Sequence, residues 1–225
     1  RFLPARPDGL EHALWQLVTG GITPGRRLQA FRQYVSLAES EQAAAQLYQI
    51  WEKRELEGKP LSERDEINLS YQLAIRLPEK ADEIVNEQLK RISNPDRQAE
   101  YRFISPSVSP RKEVRDSVFE ALLVADNRRI EPWASTALSL LNHRLREAES
   151  VEYIRPALEI LEEVQRTGDI FFPTAWLRAL LGGHSSVQAR DEVEAFYAEY
   201  PDFPEMLLNK IRQQADHLYR LHAGE

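Results

Sequence analysis

The chain has 225 residues, no cysteine, and 29 basic against 36 acidic side chains, a formal charge of −7. The missing cysteines exclude a disulfide framework, a thiolate zinc site and a cysteine nucleophile. The acidic balance argues against a nucleic-acid partner, since Arg26-Arg27 and Arg128-Arg129 are only pairs. Apolar runs such as Ala121 to Ala125 fall far short of the ~18–20 residues a membrane span needs. The chain begins at Arg1 with neither an initiator Met nor an apolar signal region, so it is expected to be a piece of a longer protein.

Taken in chain order, apolar residues recur at steps of three and four, the period of an amphipathic helix. Ala44, Leu47 and Trp51 form the first clear stripe, and Ser62 with Asp65 resembles a capping box that opens the next helix. Ser109-Pro110 reads as an N-cap followed by proline at the first helical position, and Glu131-Pro132 reads similarly, ahead of a stripe of Ile130, Trp133, Ala137 and Leu141. Pro156 is out of place in a helix beginning at Val151, so that helix is expected to start late or bend. Ala189, Val193, Phe196 and Tyr200 give another stripe, and Leu208, Ile211, Ala215, Leu218 and His222 the last.

Gly20-Gly21, Gly58, Pro78, Asn94-Pro95, Gly168 and Gly182-Gly183 stop these segments, and alternating strand-like runs are missing. The pattern predicts an all-α protein of about a dozen antiparallel helices. Most segments keep a polar face, which favours a stacked α-α superhelix of the HEAT or armadillo kind over a bundle. Residues 1–225 are expected to form one such domain, monomeric in isolation, with no repeat of matching letters.

The search for chemistry is mostly negative. No two of the histidines, His12, His143, His184, His217 and His222, stand at the i, i+4 spacing of a helical zinc pair. No G-x-S-x-G elbow or glycine-rich phosphate cradle is present, and Gly182-Gly183-His184-Ser185-Ser186 reads as a helix stop plus the next cap. Neither a catalytic nor a cofactor constellation is expected in this chain. Gly168 is expected to end a helix at positive φ. Ile170, Phe171 and Phe172 are then expected to wedge neighbouring helix pairs together in a short extended crossing.

The letters are more specific than the periodicity. "TGDIFFP" from Thr167, with Gly168, Asp169, Phe171, Phe172 and Pro173, is followed by Trp176 and "GGHSS"; this closely resembles the C-terminal helical domain of aminopeptidase-N-type zinc metallopeptidases, especially their bacterial members. "FISPSVS", "RDSVF", "NRRIEPW", "LNHRLR" and "KIRQQADHLYR" resemble the same domain in the same order, over roughly residues 77–220. Arg144 stands where members often carry a proline, which leaves the local turn open.

The resemblance implies a larger parent protein whose thermolysin-like catalytic domain holds zinc through H-E-x-x-H and a downstream glutamate. That motif does not occur in this chain. The partners it implies are that catalytic domain, in the same polypeptide, and the parent's peptide substrates. In that family the helical domain covers the active-site cavity and controls peptide access, and the resemblance implies the same role here. Arg128, Arg129 and Glu131 are its candidate contacts with the far end of a bound peptide, against capping and surface ion pairing as the plainer reading. An independent helical-repeat scaffold for another protein is the alternative function.

Overall fold

A computed structural model of the chain describes residues 9–20 and 23–221. Gly21 and His222, two of the sequence-marked positions, lie outside the described residues. The fold is all-α, with one minimal hairpin, and the chain divides into two compact units at Tyr101–Arg102, within a helix.

The first unit contains α1 (Leu10–Thr19), α2 (Pro24–Leu37), α3 (Glu41–Lys53), α4 (Glu63–Arg76), α5 (Ala81–Arg91) and the start of α6 (Pro95–Ile104). Between α3 and α4 a hairpin pairs β1 (Glu55–Leu56) with β2 (Lys59–Pro60), an element the sequence pattern did not indicate. Its turn needs φ of 50° at Glu57 and 71° at Gly58, the left-handed pair that joins two strands tightly. Ser62 caps α4 as expected, accepting from Asp65 N–H at 3.2 Å while its hydroxyl donates to the Asp65 carboxylate at 2.6 Å. Phe31, Tyr34, Leu47, Trp51, Leu69, Leu73 and Ile84 make the buried core.

The second unit contains α7 (Lys112–Leu123), α8 (Glu131–Leu141), α9 (Glu147–Ser150), α10 (Ile154–Glu159), α11 (Leu161–Thr167), α12 (Phe172–Leu181), α13 (Val187–Glu199) and α14 (Glu205–Leu221). α7 begins two residues after the expected Ser109-Pro110 start, because the Ser109 hydroxyl is taken by Arg111 N–H in the preceding turn. Pro156 falls at the third position of α10, where its missing N–H has no intrahelical acceptor to lose, and the chain reaches it through a tight turn at Val151–Tyr153. Leu208, Ile211, Ala215 and Leu218 are all buried, as are Ala189, Val193 and Phe196. The α8 stripe is rotated from the expected one. Ala134, Ala137, Leu138 and Leu141 face the core, and Ile130 stands outside it, 47% exposed.

What recurs along the chain is a set of contacts rather than letters. A glutamate in the first turn of one helix accepts N–H groups where a later helix begins. Glu11 takes Ser40 N–H at 3.2 Å, Glu63 takes Ser93 N–H at 3.0 Å, Glu131 takes Asp169 N–H at 2.8 Å, and Glu147 takes Ser185 and Ser186 N–H at 2.6 Å each. These carboxylates satisfy donors that helix starts leave unpaired, and they sit at the positive end of the helix dipole. In the first unit arginines do the converse at helix ends. Arg76 on α4 donates to the Val35 and Ala38 carbonyls at 2.9 Å, and Arg91 on α5 donates to Trp51 O at 2.9 Å. Starts are thereby tied to starts and ends to ends, so α2 and α4, like α3 and α5, run side by side in the same direction.

Candidate functional site

The sequence-marked residues of the second unit gather where α8 and α12 begin. Asp169 builds the entry to α12: its Oδ1 accepts the N–H groups of Phe171 at 2.7 Å and Phe172 at 2.8 Å, while its own N–H goes to Glu131. Pro173 then occupies the first turn of α12, where a missing N–H has no cost. Gly168 is not left-handed as expected; its backbone is extended. Its role is close approach, because a Cβ there would meet the Phe172 ring and stand 3.0 Å from Glu131 Oε1.

The aromatic pair splits. Phe172 is 2% exposed and lies edge-on to Trp176 with ring centroids 6.0 Å apart, whereas Ile170 and Phe171 are 77% and 71% exposed. The expected wedge is therefore Phe172 alone. The Asp169-capped turn into α12 sends the two residues before Phe172 outward.

Arg128 is not on the surface. Its guanidinium donates to Leu122 O at 2.7 Å and to Glu163 at 2.5 Å, and it lies 5.6 Å from the centre of the Trp176 ring. Trp176 in turn donates from Nε1 to Ala157 O at 3.1 Å. Arg129 is exposed and pairs with Asp126 at 2.8 Å. The three candidate contacts thus occupy three environments: Arg128 locks the end of α7 to α11, Arg129 stands in solvent, and Glu131 holds the α12 entry.

A second node lies at the far ends of the same helices. His184, buried at the end of the turn after α12, donates from Nε2 to Asn142 Oδ1 at 2.9 Å; the Asn142 amide donates onward to Leu138 O. His217 on α14 donates to His184 O at 3.0 Å. Gly183 packs so closely on the Asn142 carbonyl that no Cβ fits. Glu147 lies beside the ring, with Oε1 3.8 Å from His184 Nδ1. Burial works to raise the Glu147 carboxyl, but His184 and the N–H groups of Ser185 and Ser186 outweigh it and hold the carboxyl well below the usual range.

A third node ties α7 to α9 and α10. Arg115 donates to Ser109 O at 2.8 Å and pairs with Glu149, and the Tyr153 hydroxyl donates to Asp116 at 2.6 Å. Arg146 donates to Val108 O at 3.0 Å, and burial pulls its guanidinium down to about 10. Arg144 opens a single tight turn whose entry is capped by His143.

Among the described residues no group of three or more His, Asp or Glu could hold a metal ion, and no helix is long and apolar enough to cross a membrane. Two clefts of the first unit escaped the sequence reading. One, of about 470 Å³, lies over Trp15 and Tyr34, where both Glu11 oxygens are already taken by the Glu39–Ser40 segment. The other, of about 260 Å³, lies between α2, the hairpin and α4. Neither has a sequence signal, since each is assembled from residues tens of positions apart.

No protein-family model, curated protein or solved structure matches the chain.

Proposed function

We propose that this chain is the non-catalytic helical part of a zinc aminopeptidase of the aminopeptidase-N type, one that covers the active-site cavity and controls which peptides reach the metal. The observation that carries the reading is the way the resembling stretches meet. Glu131 of "NRRIEPW" binds Asp169 of "TGDIFFP"; Asn142 of "LNHRLR" binds His184 of "GGHSS", whose carbonyl takes His217 of "KIRQQADHLYR". Arg146 of "LNHRLR" binds Val108 of "FISPSVS". Stretches far apart in the chain thus make one bonded framework, which gives a physical reason for their occurring together.

In this reading bond cleavage belongs to a zinc-polarised carbonyl and an activated water in the parent's catalytic domain. The helical part excludes water and positions the peptide. Exposed Ile170 and Phe171 of the second unit are surface for the catalytic domain to cover.

The test begins with the reading frame upstream of Arg1, which must encode H-E-x-x-H. In the full-length protein, Phe171→Asp is expected to change the dependence of kcat/KM on peptide length while leaving preference for the N-terminal residue intact. An upstream frame without the zinc motif, or aminoacyl-amide hydrolysis by the purified 225-residue chain, overturns the proposal.

A further inference from the structure

The cleft between α2, the hairpin and α4 has walls and charges that select one kind of ligand. Pro24 and Leu28 of α2, Leu56 and Pro60 of the hairpin and Leu61 just after it line the cleft, so most of the lining is apolar. Its volume of about 260 Å³ suits a group the size of one large side chain and is too small for a folded partner's surface.

Two cations line this apolar space, Arg27 and Lys59. Arg27 has a single hydrogen bond among the described residues, from Nη2 to Gly20 O at 3.2 Å, and its buried Nε–H has no acceptor. A buried N–H on a charged group without a partner is destabilising, so native structures seldom leave one without a ligand or water to take it. Of the fully buried arginines, Arg115 and Arg146 each donate to two backbone carbonyls, while Arg128, whose Nε–H is also unpartnered, has its guanidinium engaged by Leu122 O and Glu163; Arg27 has only the Gly20 carbonyl among the described residues.

The acid in the cleft does not satisfy Arg27. Asp65 is turned to Arg32, at 2.8 and 3.2 Å, and to the Ser62 hydroxyl. With Asp65 engaged by Arg32, Arg27 and Lys59 are the charged groups of the lining that no acid of the lining bonds. Arg27 also lies in the first turn of α2, which contains no acidic residue, so the helix dipole reinforces the positive potential.

We infer that this cleft binds a carboxylate borne on an apolar body the size of one large side chain, the carboxylate on Arg27 and Lys59 and the body against Leu28, Leu56 and Leu61. A bare phosphate uses the cations but leaves the apolar walls empty; an alcohol or amide does the reverse. The same chemistry is presented by a medium-chain acyl carboxylate and by the C-terminal residue of a polypeptide. The inference stands apart from the aminopeptidase reading, because it uses only the first unit and none of the resembling stretches.

The experiment titrates the whole chain with octanoate and with N-acetyl-leucine, using N-acetyl-leucinamide, octanol and inorganic phosphate as controls, followed by calorimetry and by amide chemical shifts of α2 and the hairpin. At least one carboxylate is expected to bind about tenfold or more tightly than its neutral counterpart and than phosphate. Octanoate alone identifies an acyl source, N-acetyl-leucine alone a chain terminus, and both together the shared chemistry. Arg27→Met and Lys59→Met are each expected to weaken binding by about tenfold with unchanged far-ultraviolet circular dichroism. Leu56→Ala is expected to weaken the carboxylates but not phosphate. Equal binding of acid and amide, phosphate binding as tight as either acid, no binding by either acid, or full binding by Arg27→Met would each overturn the inference.

Discussion

Two adjacent phenylalanines, Phe171 and Phe172, are expected to differ sharply in what they contribute to stability. Phe172 is 2% exposed against Trp176, so truncation to alanine removes a buried ring and leaves a cavity, a loss of about 3–5 kcal/mol. Phe171 is 71% exposed. It buries less than a third of an aromatic side chain, which at about 25 cal/mol per Å² comes to about 1–2 kcal/mol at most. Urea unfolding followed by circular dichroism and tryptophan fluorescence measures both, since Trp133 and Trp176 report on the second unit. With a slope of about 2 kcal/mol/M, Phe172→Ala lowers the midpoint by about 2 M and Phe171→Ala by less than about 1 M. If Phe172→Ala does not fold, Phe172→Leu at about 1 kcal/mol, set against Phe171→Leu at close to zero, keeps the comparison measurable. Equal shifts, or a larger one at Phe171, would refute the division into one packed and one presented ring.

Three further pairs of measurements follow from the same contacts. The Glu147 carboxyl is held below its ordinary pKa in the folded state, so its contribution is present above the unfolded value near pH 4.5 and fades as pH falls further; Glu147→Gln is expected to cost about 1–3 kcal/mol at pH 7 and to flatten the acid limb of the stability curve, and parallel curves would remove that assignment. Gly183→Ala drives a Cβ into the Asn142 carbonyl oxygen and is expected to lower stability by about 2 kcal/mol or more, whereas Gly25→Ala, with open space around it in α2, is expected to be neutral or to stabilise by up to about 1 kcal/mol in thermal unfolding. Arg128→Met strips the Leu122 carbonyl and Glu163 of their donor and is expected to cost about 1–3 kcal/mol, while Arg129→Met stays within about 0.5 kcal/mol; matching losses in a denaturant series would contradict their assigned burial.

Local chemistry was legible without a fold. The Leu208, Ile211, Ala215 and Leu218 stripe is buried because a helix returns every third or fourth residue to one face, whatever it packs against. Ser62 caps α4 and Pro156 sits in a first turn because the rules that place them involve neighbours within four residues. The α8 stripe shows the limit of such reading. Periodicity specified a helix there, but which of two overlapping stripes turned inward depended on what α12 presented to it.

By itself, the sequence determined a helical chain without thiol chemistry, the starts of α4 and α8, the stops of α1, α4, α11 and α12, and the apolar faces of the last two helices, because each is set by side chains a few residues apart. Tertiary structure decided everything that depends on contacts 30 to 40 positions away. It buried Arg128 under Trp176 and left Arg129 in solvent; it turned Ile170 and Phe171 outward while Phe172 went in. It also gave Gly168 and Gly183 their reason, close approach to Glu131 and Asn142, where the letters suggested only a flexible stop. The cleft at Arg27 and Lys59 belongs to the same class: α2, the hairpin and α4 each carry an unremarkable piece of it, and only their packing encloses two cations in an apolar space.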